Sequence, residues 1–210
     1  MTLLFVRHGE STWNVEGRFQ GRQDPPLSEL GERQARAVAQ RLASVDHPAA
    51  IVSSPLSRAR RTAEVIGAAC ELPVAFDERL VEISHGDWEG LLRTEIAARW
   101  PEALERWHAS PQAVRFPNGE NLDQVQARFE SFMSDVPARK TPLVVCTHDV
   151  IIRLATLWAG GRPMTRFASL KSDNAALTEI AFADGLPRLV RANDAQHLDG
   201  LRSDLARQAL

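Results

Sequence analysis

The sequence predicts an α/β fold built on a mostly parallel sheet, and three apolar runs carry that prediction. Leu3–Val6, Ala50–Val52 and Leu143–Cys146 are short, continuous and followed by a turn and a helical pattern, as expected of strands buried on both faces. Each run leads to a cationic or imidazole side chain: Arg7 and His8 after the first, Arg58 after the second, His148 after the third. Open α/β sheets place their ligands beyond the carboxyl ends of the strands. Three strand ends with one chemistry suggest an anion site along one edge of the sheet.

The remaining elements follow in order. After the first strand Gly9 allows a sharp turn or a close approach, and Val15–Pro26, with Arg18, Gln20, Gly21 and Asp24, reads as a loop over the strand end. Ser28 is placed to cap a helix carrying Ala35, Val38, Leu42 and Val45 at helical spacing, which Asp46–Pro48 ends. A second helix, after Ser53–Arg58, has Ala59, Thr62, Ala63, Ile66 and Ala69 on one face. Val74–Phe76 is a third strand, and Arg79–Gly90 a loop holding Glu82, His85, Asp87 and Trp88. Residues 91–117 read as helical but are interrupted by Pro101 and Pro111; this segment, with Trp100 and Trp107, is expected to form a cap or insertion. Asn118–Asn121 open a helix bearing Leu122, Val125, Phe129, Phe132 and Val136. A helix over Val150–Ala159 follows the strand at Leu143–Cys146, and Leu177–Phe182 and Leu189–Arg191 form a hairpin around Asp184 and Gly185. The tail from Asn193 is polar, with helical character at its end.

At 210 residues the chain suits a single domain, 1–210, with 91–117 as its cap. A content of 44% hydrophobic and 25% charged residues is that of an ordinary globular protein, and a net charge of -2 gives no reason to expect nucleic acid or membrane partners. Cys70 and Cys146 have neither metal-ligand spacing nor the density of a disulfide scaffold, so both are expected to be buried thiols. No signal peptide or membrane span is visible, which gives a cytoplasmic expectation.

Two guanidinium groups and two imidazoles match the double negative charge of a phosphoryl group. Neighbouring cations also disfavour an imidazolium, leaving a neutral ring able to attack phosphorus. Taken alone, a histidine such as His8 or His148 is more often a hydrogen-bonded residue than a catalyst, and an arginine such as Arg7 or Arg58 more often a surface ion-pair partner. No GxxxxGK[ST] loop is present.

The motifs together resemble those of the histidine phosphatase family, also called phosphoglycerate-mutase-like, over roughly Leu3 to Leu198. Arg7, His8, Gly9 and Glu10 with Thr12, Trp13 and Asn14 are similar to its first motif, continued by Gln20, Gly21, Asp24, Pro26, Leu27, Ser28, Gly31 and Gln34. Ser53–Leu56 with Arg58, Ala59 and Thr62 resemble the second, Glu82 with Gly86, Trp88, Glu89 and Gly90 the third, and Thr147, His148 and Arg153 the fourth. The resemblance implies a three-layer αβα fold with helices on both faces, and a two-step reaction. His8 takes the phosphoryl group, Arg7, Arg58, His148 and Asn14 hold its oxygens, and Glu82 is the acid. A bound phosphate dianion would help keep Glu82 protonated. Gln20 and Gly21 belong to the expected substrate site, whereas Glu10, Asp24 and Glu89 are expected to be structural. No metal or cofactor is implied, and a homodimer is a family expectation.

Within the family, mutases carry a His-Tyr-Gly run after the acid; this chain has Ile83, Ser84, His85 and Gly86 there and no tyrosine. It resembles the phosphatase branch. Glu82–Trp88 with Arg106, Trp107 and Asn118–Glu120 is similar to metal-independent phosphoserine phosphatases, in which a His at the position of His85 helps recognise the amino acid. α-Ribazole and broad-specificity sugar-phosphate phosphatases share much of the pattern, and a mutase or a non-catalytic phosphate-binding module are further alternatives. Asp149 departs from the family, many of whose members carry Gly there. It is expected either to cap the following helix or to face an ammonium group on the substrate.

Overall fold

A computed structural model describes residues 1–136, 139 and 141–209 of the chain. Six strands form one sheet: β1 (Thr2–Arg7), β2 (Ala50–Ser53), β3 (Val74–Phe76), β4 (Leu143–Thr147), β5 (Leu177–Ala183) and β6 (Leu186–Asp194), in the spatial order β3-β2-β4-β1-β5-β6. The first four in that order run parallel, and β5 alone is reversed, pairing antiparallel with β1 and β6. Alternation along the central strands sends Leu3 and Phe5 to one face and Leu4 and Val6 to the other, and all four are buried. That explains why the run is apolar at every position.

Helices cover both faces. On one side lie α2 (Glu29–Arg41) and α3 (Ser57–Cys70), which pack Val38, Ala39, Ala63 and Ile66 against Leu4, Val6, Val144 and Cys146. On the other lie α6 (Leu122–Asp135) and α7 (Asp149–Ala159), with Phe129, Phe132 and Ile151 against Phe5 and Val145. This is the expected three-layer arrangement. Segment 91–117 forms α4 (Arg93–Arg99), α5 (Pro101–Ala109) and a 3-10 turn over Pro111–Ala113, so each proline opens a helical piece. Its Leu104, Trp107, Val114 and Phe116 join the same apolar cluster as the sheet face.

Several elements differ from the sequence expectation. A short helix not expected from the sequence, α1 (Thr12–Glu16), runs into the start of the stretch read as a loop from Val15; it is fixed by a reciprocal cap between Ser11 and Asn14 and ended by Gly17 at φ 71°. The helix begun at Ser28 changes to a π-helical turn over Leu42–Asp46. Strand β6 is far longer than Leu189–Arg191; being a half-exposed edge strand, it needs little apolar content. Cys146 is fully buried, but Cys70, at the last turn of α3, is only partly covered. Among the described residues no helix is long and apolar enough to cross a membrane.

Candidate active site

The parallel register pairs Arg7 with Thr147 and Ser53 with Cys146, so the residues that follow, His8, His148 and Ser54, emerge side by side at the carboxyl edge. The His8 and His148 rings lie 5.2 Å apart between centroids. His8 Nδ1 is 2.7 Å from the Gly9 carbonyl; since a carbonyl only accepts, Nδ1 carries the proton and Nε2 keeps its lone pair. Burial first, then the Arg58 and Arg7 charges, hold this imidazole well below its ordinary pKa, so it is neutral at pH 7. The sequence reading named the cations; the larger cause is burial. His148 Nε2 meets the Ser54 hydroxyl at 2.8 Å and its Nδ1 is buried without a partner.

Arg7 and Arg58 are each 1% exposed. Arg7 donates to the Ser172 carbonyl and, over 2.8 Å, to Gln208 Oε1. Arg58 donates to the carbonyls of Gln23 and Gly21, both at 2.8 Å. Among the described residues neither forms an ion pair with a carboxylate, and in both Nε is buried and unpartnered. Burial pulls Arg58 down to about 10, still cationic at neutral pH. Two desolvated cations held only by neutral acceptors form a site suited to an anion. Arg60 and Arg61, which follow Arg58 closely in the sequence, turn away to Glu64 and Glu32.

Glu82 also lines this cavity, with Oε1 accepting the Ile83 N–H at 2.9 Å. Burial and the Asp149 carboxylate push its pKa up against the pull of Arg58 and Arg128. Asp149 is not the cap of α7: His148 holds that position, and Asp149 is the first helical residue. Its Oδ2 pairs with Arg153 Nε at 2.8 Å, while Oδ1 is buried without a partner. His85 sits in an aromatic box, 4.7 Å from Phe116, 5.2 Å from Phe19 and 6.0 Å from Trp107 between ring centroids. Burial and Arg58 lower it to about 3, so it too is neutral, and its Nδ1 is unpartnered.

The expected substrate-site residues fall around the same cavity. Gln20 and Gly21 line it, and the Gly21 carbonyl holds Arg58. Asn14 is buried beside it, accepting from Ser11 N–H and donating to Gln208 Oε1 at 3.1 Å. Glu10 accepts from the Ser28 hydroxyl, Asp24 accepts from Ser57 N–H at the start of α3, and Glu89 accepts from the backbone of Arg22 and His85. Gly9 and Gly31 lie against each other: a Cβ on Gly31 would come within 2.0 Å of the Glu10 carbonyl oxygen.

Some residues of the site were not anticipated. Thr62 accepts the Gly9 N–H at 3.0 Å and donates to the Arg58 carbonyl at 2.8 Å, joining two of the strand ends. Ser172, Asn174 and Gln208 reach the site from the far end of the chain, Asn174 donating to the His8 carbonyl at 3.1 Å. No local pattern marks these three, which act through long-range hydrogen bonds.

Comparison with known proteins identifies the family. A model of the histidine phosphatase superfamily (branch 1) matches residues 3–195. Phosphoserine phosphatase 1 of Hydrogenobacter thermophilus is 38% identical over 198 residues, covering 93% of each chain. The solved structure of Bacillus stearothermophilus YhfR superposes with a TM-score of 0.87 at 33% identity, covering 94% of this chain and 98% of that one. A mycobacterial glucosyl-3-phosphoglycerate phosphatase superposes with a TM-score of 0.83 at 32% identity, covering 92% and 99%. Sequence and fold agree along nearly the whole chain, which therefore belongs to the histidine phosphatase superfamily and is an enzyme of its phosphatase kind.

Proposed function

We propose that the chain hydrolyses a small phosphomonoester, L-phosphoserine, through a phosphohistidine on His8 and without a metal ion. The observation that carries the reaction is the pair of buried guanidinium groups, Arg7 and Arg58, flanking a neutral His8 and lacking a carboxylate partner among the described residues. They attract the phosphoryl dianion, and Arg7, Arg58, Asn14 and the His148 Nδ1–H stabilise its equatorial oxygens. His8 Nε2 attacks phosphorus in line; the P–N bond forms as the bond to the ester oxygen breaks, and Glu82 gives that oxygen its proton. Water then attacks the phosphohistidine, losing a proton to Glu82, and orthophosphate leaves.

The amino-acid assignment rests on the opposite wall of the cavity. Asp149 Oδ1, a buried acceptor with no partner, suits an ammonium group, and His85 offers an N–H to a carboxylate. Because His85 is neutral, it acts as a hydrogen-bond donor and not as a counter-charge. The similarity to a protein named phosphoserine phosphatase supports the same reading. The name of the mycobacterial neighbour favours a phosphorylated sugar acid as the second reading.

Steady-state hydrolysis of phosphoserine, phosphothreonine, sugar phosphates, 3-phosphoglycerate and p-nitrophenyl phosphate, with EDTA present and His8→Ala as control, tests both parts. Phosphoserine is expected to lead, with EDTA inert and His8→Ala inactive. A flat profile refutes the substrate, and activity that survives His8→Ala refutes the mechanism. Glu82→Gln is expected to slow phosphoserine far more than p-nitrophenyl phosphate, whose phenolate leaves without a proton; equal losses remove Glu82 from the acid role.

A further inference from the structure

The Gln208 side chain is buried beside the proposed nucleophile, and its contacts are unusual for a residue so far along the chain. Its Oε1 accepts from two of the groups assigned to the phosphoryl oxygens, Arg7 Nη2 at 2.8 Å and Asn14 Nδ2 at 3.1 Å. Its Nε2 donates to Asn174 Oδ1 at 2.7 Å, and Asn174 in turn holds the His8 carbonyl. The amide is thus fixed with its oxygen toward Arg7 and Asn14, since the opposite orientation would set an NH2 group against two donors. The neighbouring Ala209 forms part of the wall of the cavity that Arg7, His8, Arg58 and Glu82 also line. A phosphoryl oxygen that takes these two donors has to replace the Gln208 amide oxygen on them.

Resting on the reading of the site under Proposed function, we infer that Gln208 is an internal ligand of the oxyanion site, and that substrate and orthophosphate bind by displacing it. Each N–H it occupies serves one acceptor, so the amide oxygen and a phosphoryl oxygen compete for Arg7 and Asn14. A charged phosphoryl oxygen forms the stronger bond to a guanidinium than a neutral amide does. A dianion therefore wins the exchange, whereas a neutral or weakly basic oxygen gains little over the residue it replaces. Gln208 is in this way a specificity-determining residue: it occupies Arg7 Nη2 in the free enzyme and sets a threshold of ligand charge.

The affinity for a ligand is reduced by the fraction of molecules in which the site is already engaged. Orthophosphate binding by titration calorimetry, at fixed ionic strength and without turnover, measures that reduction in the full-length chain. Gln208→Ala is expected to bind orthophosphate about tenfold more tightly than the parent. Gln208→Glu, which places a carboxylate on Arg7, is expected to bind it at least tenfold more weakly. A residue that merely braced the fold would weaken binding in both variants. Equal affinities in all three proteins, or weaker binding by Gln208→Ala, overturn the inference while leaving the phosphate site in place. Absence of binding in all three overturns the site itself and the inference with it.

Discussion

Three imidazoles buried in the neutral state, His8, His85 and His148, predict that acidification below pH 6.5 destabilises the protein before its carboxylates titrate. In the unfolded chain each imidazole takes a proton near pH 6.5, while in the folded chain it does not. The unfolded state then binds more protons, and stability falls as pH falls. Each such group contributes about 1.4 kcal/mol per pH unit once the unfolded form is charged, so the three together approach about 4 kcal/mol per unit. Glu82, whose folded pKa is raised, acts in the opposite sense, because the folded state keeps a proton that the unfolded state has lost. It offsets up to about 1.4 kcal/mol per unit. The net loss between pH 6 and pH 5 is about 2–4 kcal/mol, a large part of the stability of a typical domain. Glu32, Asp77 and Asp194, with folded values lowered by their partners, lose their contributions only at lower pH. Urea unfolding at half-unit steps from pH 7.5 to 5.0, in phosphate-free buffers of equal ionic strength, measures the slope directly. His85→Phe keeps the aromatic box filled and should lower the slope by about one proton's worth, about 1.4 kcal/mol per unit. Constant stability from pH 6.5 to 5.0, or an unchanged slope in His85→Phe, refutes the buried neutral state.

The same variant probes recognition: losing one hydrogen bond to a charged group, about 1.5–3 kcal/mol, should raise KM for phosphoserine about ten- to a hundredfold while p-nitrophenyl phosphate is hydrolysed almost as before; a uniform loss removes His85 from specificity. Asp149→Asn deletes the like charge that helps raise Glu82, so the alkaline limb of the kcat profile should move to lower pH, which a pH–rate series on phosphoserine will register; an unmoved limb refutes the coupling. Gly31→Ala, although alanine is the better helix former, sets a Cβ against the Glu10 carbonyl and should cost about 1–3 kcal/mol in urea unfolding, with reduced activity because the displaced backbone carries His8. A neutral or stabilising result would mean that α2 can slide away from the strand end.

Much of this arrangement was legible because it is local. Arg7 and His8 directly end an apolar run, and Arg58 and His148 follow theirs within a turn, so βα periodicity and residue type together located the sheet edge. The order of the strands was not legible: the placement of β4 between β1 and β2, which brings His148 beside His8, depends on packing across the whole sheet. α1 was missed because its signal is a cap, Ser11 with Asn14, and not an apolar stripe. The role of Asp149 was half readable, since its neighbour Arg153 lies one helical turn on, but the unpartnered second oxygen is a property of the cavity wall. Gln208 and Asn174 carry polar side chains in polar segments, and nothing within several residues distinguishes them from solvent-facing ones.

The electrostatics of the site come from separating orientation from neutralisation. Elsewhere on the molecule arginines are oriented by carboxylates, as Arg191 is by Asp46 and Glu179 and Arg79 by Asp77. Arg7 and Arg58 are oriented instead by the carbonyls of Ser172, Gln23 and Gly21, which fix a guanidinium without cancelling its charge. Burial, which disfavours charge of either sign, lowers His8 most, and that unspent charge adds to the effect. Burial acts on Glu82 in the opposite pKa direction, because there the neutral form is the protonated one, and Asp149 reinforces it. One desolvated cavity thus shifts a base and an acid in opposite directions, each in the sense that its proposed role requires. The proposed first step needs a neutral imidazole and a protonated carboxyl, and both are favoured in the resting protein by its own burial and charges. The arriving phosphoryl group then has only to exchange with Gln208 and complete the charge balance.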